Sequence, residues 1–194
     1  MHFRFPASVA FSLILTGLTA TSVQAAEEYA LDGAHTAVYF RISHGGFSET
    51  YGRFNNVGGT LSVDSADTSK TSLQVTIKAD SIDTSNAKRD EHLRAPDFLN
   101  VKQFPAVTFK STSVSGKTPG ELEVQGEFSM HGVTKPITLK LKGGKVGEFP
   151  PGVIRTGYST HLDLKRSDFG MDKYVGMIGD EVHIAISFEA TKKK

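Results

Sequence analysis

The chain has no cysteine and no tryptophan in its 194 residues. Without cysteine there is no disulfide framework, no thiol nucleophile and no N-terminal lipid-modified cysteine. An excess of either charge is missing too, since 22 Lys and Arg stand against 21 Asp and Glu. The lysines fall mostly one at a time, where a nucleic-acid binder would gather a basic face or stripe, so no nucleic-acid partner is expected. Long apolar runs are scarce. The stretch Val9–Leu18 is about half of the roughly 20 residues that a membrane-spanning helix needs. There is no P-loop, no dinucleotide fingerprint and no G-x-S-x-G elbow. The triplets His44-Gly45-Gly46 and Asp168-Phe169-Gly170 lack the partner motifs that would make them an oxyanion loop or a kinase metal site. The chain is therefore not read as an enzyme, and no cofactor is required.

What stands at the N-terminus has a different logic. Arg4, the apolar stretch and the small-residue positions Val23 and Ala25 form the pattern of a secretory signal, with residues 1–25 removed and residues 26–194 retained. A bacterial periplasm is the simplest destination, and the product is not expected to be membrane-integral. Transient membrane contact and a homodimer both stay open. Removing the signal leaves about 169 residues, enough for one domain with a sizeable core. Lys192, Lys193 and Lys194 read as a solvated tail.

Between Thr36 and Glu189 apolar residues recur at every second position in at least seven runs. Val38, Phe40 and Ile42 alternate with Tyr39, Arg41 and Ser43, and Leu73, Val75, Ile77 and Ala79 alternate with Gln74, Thr76 and Lys78. Val107 and Phe109 begin a third run, Leu122, Val124 and Phe128 a fourth, and Ile137, Leu139 and Leu141 a fifth. Leu162 and Leu164, then Val182, Ile184, Ile186 and Phe188, complete the set. Period two is the signature of half-buried antiparallel strands, whose register is fixed because a one-residue slip would wet each apolar row. Glycine and proline pairs such as Gly45-Gly46, Pro119-Gly120 and Gly143-Gly144 punctuate the runs as turns. The charged segment Asn86–Arg94, ended by Pro96, predicts one short helix over about Ala87–Ala95, lying on the surface or over an opening.

About eight such strands form either two stacked sheets or one closed barrel, and closure removes the aggregation-prone edges. A barrel of that size is filled by side chains or holds one small ligand, and periodicity alone does not choose. Six histidines follow the signal, His35, His44, His92, His131, His161 and His183. None has the H-x-H or H-E-x-x-H spacing of a local metal site, which leaves a zinc site only as an assembly from distant strands.

Specific residues then add to the pattern. Ser81-Ile82-Asp83-Thr84, Arg89-Asp90-x-His92-Leu93-Arg94, Asp97-Phe98-Leu99 and Phe104-Pro105 are flanked by Asp32-x-x-His35 and Gly52-x-Phe54 upstream. Downstream stand Gly126-x-Phe128, Gly132-Val133-Thr134-Lys135-Pro136, Arg166-Ser167-Asp168-Phe169-Gly170 and Gly179-Asp180-Glu181-Val182. In this order they resemble the YceI-like family of periplasmic lipid-binding proteins across essentially the whole mature chain. The resemblance implies an all-β, extended lipocalin-like antiparallel β-barrel with one short helix, enclosing an elongated apolar tunnel. Its implied guest is a long isoprenoid lipid of the quinone or polyprenyl phosphate type. Thr36, His131 and Gly45-Gly46-Phe47 depart from the family's usual residues.

Given such a tunnel, strand parity turns Val38, Phe40, Ile42, Phe54, Val75, Ile77, Phe109, Val124, Phe128, Leu139 and Ile186 inward, with Leu93, Phe98 and Leu99 closing one end. Phe169, Met171, Tyr174, Met177 and Ile178 are expected on a mobile rim. Arg89, His92 and Arg94 have two readings: contacts to a phosphate or quinone head group, or, together with Asp90, members of a surface helix held by its own ion pairs. A binding module acting through its outer face is the alternative function, for which Tyr39 and Tyr158 are the aromatic candidates. A hydrolase or metal enzyme would need histidines converging with a carboxylate inside the barrel.

Overall fold

The computed structural model describes residue 1 and residues 26–193. The expected signal segment beyond Met1 lies outside the described residues. Strands β1 (Glu27–Leu31) and β2 (Ala37–His44) are one run of chain broken by a 3-10 turn at Gly33–His35, and only Asn55 and Asn56 separate β3 (Ser48–Phe54) from β4 (Val57–Val63). Strand β5 (Ser72–Lys78) likewise passes through a 3-10 turn at Ala79–Ser81 into the short β6 (Ile82–Asp83). Helix α1 (Ala87–Arg94) follows, ahead of β7 (Ala106–Gly116), β8 (Gly120–Met130), β9 (Val133–Gly143), the two-residue β10 (Gly147–Glu148), β11 (Ile154–Lys165) and β12 (Ile178–Lys192).

With each broken run counted once, eight antiparallel strands close into a barrel in the order β11-β9-β8-β7-β5-β4-β1-β12, with β12 returning to β11. The β11–β12 pairing runs from Arg155↔Thr191 to Lys165↔Glu181, whereas β9 and β11 meet only at Tyr158↔Gly143 and Ser159↔Lys142. The breaks in β3/β4 and β5/β6 lie at one level. Asn55 N donates to Ser81 O (3.1 Å), Asn56 N to Ser81 Oγ (3.1 Å), and Lys78 N to Asn56 O (2.9 Å). On one side of this level β1 pairs with β4 and β4 with β5. On the other side β2 pairs with β3, and β3 with β6.

The alternation seen in the sequence maps onto inside and outside. Leu122, Val124 and Phe128 of β8 are buried while Glu121, Glu123, Gln125 and Glu127 are exposed. Across the pair, Glu121 faces Lys142 and Glu123 faces Lys140 of β9, opposite charges on the solvent side where cross-strand pairs stabilise a sheet. One half of the barrel is filled: Tyr29, Leu61, Leu73, Leu122, Val124, Leu141, Tyr158 and Phe188 are each 3% exposed or less. Tyr158, expected on the outer face, instead packs against Phe188 with ring centroids 5.9 Å apart and tilted by 35°, its hydroxyl 2.9 Å from Thr118 Oγ1. Its side chain follows the inward parity of Thr156 and Thr160, which are also buried. Tyr29, buried beside it and donating to Glu27, has its phenol pushed upward by desolvation first and by that carboxylate second.

The other half is different. Inward-facing Phe40, Ile42, Phe54, Leu164, Val182 and Ile184 keep part of their surface accessible, as apolar side chains do when they line a space instead of filling it. Among the described residues no helix is long and apolar enough to cross a membrane.

Candidate functional site

The space is a cavity of about 440 Å³ walled by β2, β3, β6, α1 and the ends of β11 and β12. Its apolar lining is Phe40, Ile42, Phe54, Ile82, Leu93, Phe98, Leu99, Met130, Leu164, Met171, Ile178, Val182 and Ile184. Phe40 and Phe54 sit 5.8 Å apart between ring centroids on neighbouring strands. Their packing depends on Gly52, opposite Phe40 across the β2–β3 pair, where a Cβ would stand 2.3 Å from the Phe40 ring and 2.8 Å from Thr84 Cγ2. Of the polar lining residues, Ser43, His44, Lys88, Arg89 and His92 are exposed, whereas Thr84 and Arg166 are buried. The exposed ones mark the mouth, between the β2–β3 turn and α1.

Helix α1 closes this end although it carries few apolar residues, because its polar groups are tied to the chain just before it. Asn86 caps it by accepting from Arg89 N (3.1 Å). Buried Asp90 accepts from Thr84 N (2.8 Å) and Thr84 Oγ1 (2.5 Å), and Arg89 donates from Nε to Thr84 Oγ1 (2.7 Å) and from Nη2 to Thr84 O (2.7 Å). Arg94 donates to Asp80 O (2.7 Å) and Ile82 O (2.9 Å). The expected ion pairs within the helix are thus replaced by bonds to a threonine and to backbone carbonyls. An eight-residue helix leaves few of its own groups on the side where Asp90 is buried. Arg94 points to β6 and does not line the cavity. Arg89 and His92 do, with His92 edge-on to Phe98 (5.0 Å) and 3.4 Å from Asp97 Oδ2.

The opposite wall is held by Arg166, which heads the motif Arg166-Ser167-Asp168-Phe169-Gly170 but is not among the expected site residues. It is 4% exposed, lines the cavity, and donates to four backbone carbonyls: Met171 (2.5 Å), Lys173 (2.8 Å), Gly179 (2.8 Å) and Ile178 (3.2 Å). Burial lowers its pKa and nearby Asp180 and Asp172 oppose that shift; an arginine stays charged regardless. Asp180 closes the same loop by accepting from Ser167 N (2.9 Å) and Ser167 Oγ (2.7 Å), bonds that hold its carboxyl below the ordinary range. His131, at positive φ in the β8–β9 turn, donates from Nδ1 to Phe169 O (3.0 Å). The segment expected as a mobile rim is therefore fastened from within.

Of the residues that parity and the resemblance pointed to, Phe40, Ile42, Phe54, Leu93, Phe98, Leu99, Met171, Ile178, Arg89 and His92 come together around the cavity. Val38, Ile77, Phe109, Val124, Phe128, Leu139 and Phe169 are buried in the packed core, and Val75 and Ile186 pack against it. Phe169, expected at the rim, lies edge-on to Phe128 at 5.4 Å. Tyr174 and Met177 are exposed outside the cavity. Leu164, Val182 and Ile184 line it and were legible as inward; what alternation does not encode is height along the barrel. The implied elongated tunnel is thus a cavity confined to one half.

His44 and His92 both reach the cavity, and no carboxylate lines it among the described residues. Two histidine–carboxylate groups lie elsewhere. Asp32, His35 and Glu189 form one, in which His35 Nδ1 lies 2.8 Å from Asp32 and the Arg155 guanidinium bonds Glu189 and approaches Asp32 at 3.5 Å; Asp163, Glu181 and His183 stand on the outer face of β11 and β12.

Residues 29–190 match the YceI-like domain family. "Protein YceI" from Salmonella arizonae is 41% identical over 179 residues, covering 91% of this chain and 93% of that protein. Among solved structures, Burkholderia cenocepacia BcnA superposes with a TM-score of 0.75 at 22% identity, covering 83% of this chain and 99% of its own. A polyisoprenoid binding domain from Saccharophagus degradans implicated in plant cell wall breakdown superposes with a TM-score of 0.67 at 18% identity, over 85% and 98% of the two chains. At these identities the two structures speak to the fold.

Proposed function

Because this chain belongs to the YceI-like domain family, we propose that it is a periplasmic carrier or store for one long isoprenoid lipid, of quinone or polyprenyl phosphate type, with no chemistry of its own. The observation that carries the reading is the cavity of about 440 Å³ whose lining is mostly apolar, its buried polar members Thr84 and Arg166 being hydrogen-bonded within the wall and its exposed ones gathered at the mouth. That volume falls within the roughly 300–1,000 Å³ of small-molecule sites. Each methylene moved out of water contributes about 0.8 kcal/mol, so one five-carbon unit gives roughly 3–4 kcal/mol before ordering costs. Affinity then needs no elaborate polar site. The hydrocarbon end occupies the wall of Phe40, Phe54, Leu93 and Ile184, and the polar end lies at the mouth beside Lys88, Arg89 and His92. The binding domain from Saccharophagus degradans, named for polyisoprenoid, shares this fold and supports the choice of guest.

The test is to purify the mature protein from its native compartment without detergent, extract it with organic solvent and identify the lipid by mass spectrometry. About one isoprenoid per chain is expected. An extract without stoichiometric lipid, together with failure of the stripped protein to take up an added isoprenoid, overturns the reading.

A further inference from the structure

The cavity mouth is edged by apolar side chains that the fold leaves uncovered. Phe47, in the β2–β3 turn, is 94% exposed, and Met177, in the segment before β12, is 70% exposed. The two segments are joined: Gly45 N donates to Met177 O (2.8 Å), and Ile178 pairs with His44. Gly45 and Gly46 both adopt positive φ, 61° and 74°, which glycine takes without steric cost and which lifts Phe47 off the barrel. Val175 and Tyr174 extend the same side and are also exposed. Neither Phe47 nor Met177 belongs to the core or lines the cavity, so folding gives no reason for them to be large and apolar. A contiguous exposed apolar patch marks a surface that something else covers.

Cations accompany the patch. Lys88, exposed at the mouth, makes no ion pair among the described residues. Lys173 lies 6.0 Å over the Tyr174 ring and 3.8 Å from Asp97, a carboxylate also approached by His92 (3.4 Å). Apolar side chains that insert and lysines that stay at headgroup level are the composition of an interfacial anchor.

We propose that this rim docks on an anionic membrane surface, with Phe47 and Met177 entering the acyl boundary and the cavity mouth facing hydrocarbon. The proposal rests on the reading of the cavity as a lipid site and names where its guest is exchanged. A bilayer suits the patch better than a second copy of the chain, because the patch adjoins the mouth along the segments that carry His44 and Ile178 of its lining: a sealed dimer would block the guest's route, whereas a bilayer supplies it. Transfer at the membrane also spares the guest's hydrocarbon passage through water, which the hydrophobic effect opposes.

The absence of tryptophan makes the test direct. Phe47→Trp, Met177→Trp and Phe149→Trp each introduce a single indole. Phe149 is the control: it precedes β11, whose first residues pair near the C-terminal end of β12, away from Ile178. With vesicles of phosphatidylethanolamine and phosphatidylglycerol, the first two are expected to shift to shorter wavelength and be quenched by brominated acyl chains, and the third to stay unchanged. The double variant Phe47→Ser, Met177→Ser is expected to bind these vesicles about tenfold more weakly while yielding the same extracted lipid. No shift at either rim position, an equal shift at position 149, or full vesicle binding by the double variant overturns the proposal. So does a concentration-dependent dimer, lost in the double variant, from a protein that ignores vesicles. Vesicle binding by a protein that neither carries nor takes up lipid would sink the cargo reading alone, and bound lipid without vesicle binding would sink the docking alone.

Discussion

Thr84 holds four hydrogen bonds at once: its amide and hydroxyl donate to Asp90, and its hydroxyl and carbonyl accept from Arg89. Both Thr84 and Asp90 are buried, so removing the carboxylate leaves donors without water to replace it. Asp90→Ala is expected to destabilise the protein by about 2–4 kcal/mol, and Asp90→Asn, which keeps an acceptor, by about half that. Urea unfolding of the two variants measures it, and a loss under about 0.5 kcal/mol for the alanine variant would show that the helix is held by something else. In the sequence Asp90 is one charge among many between Asn86 and Arg94, which suggests ion pairs along a helix surface. Its partner is a threonine six residues back, and only the turn at Ser85, with φ of 59°, brings it there.

Among the elements, the segment from Arg166 to Asp180 is, like α1, fastened by charged side chains. Asp180 is held in its ionised form by Ser167 and so has a lower pKa folded than unfolded. Unfolded it binds protons at about pH 3.9, so its contribution is complete above that value and is lost as the pH falls through the lower folded value. Asp180→Asn is expected to be less stable than the parent at pH 7, with the gap closing as the pH falls below about 4. Denaturation midpoints across that range test this, and a gap that persists unchanged to the acid limit would contradict it. This segment was also the least legible part of the chain. Strands announce themselves because alternation is imposed by the pleat, and α1 by its charges and Pro96. Arg166 does neither, since its acceptors are main-chain carbonyls 5 to 13 residues ahead that any side chains could carry. Parity likewise separated Val124 from Glu123 correctly, yet put Val124 and Ile42 in one list, because depth is set by the stagger of pairing and not by alternation.

For the whole molecule, one half is packed and the other hollow, and the two should answer differently to substitution. Leu61, fully buried against Tyr29 and Leu73 as cross-strand partners, should cost about 2–5 kcal/mol as Leu61→Ala without changing lipid content. Ile184→Phe points new volume into the cavity, where it should cost under about 1.5 kcal/mol and lower the bound lipid severalfold. Thermal unfolding and lipid extraction on both variants separate the halves; equal loss of lipid in the two would mean that they act as one. The boundary between them is the level where β3 passes into β4 and β5 into β6, crossed by the contacts of Asn55, Asn56, Lys78 and Ser81. That level is a graft line. A chain cut and rejoined there keeps the base that gives the barrel its register and exchanges the chamber, so vessels of new capacity can be set on the same foundation.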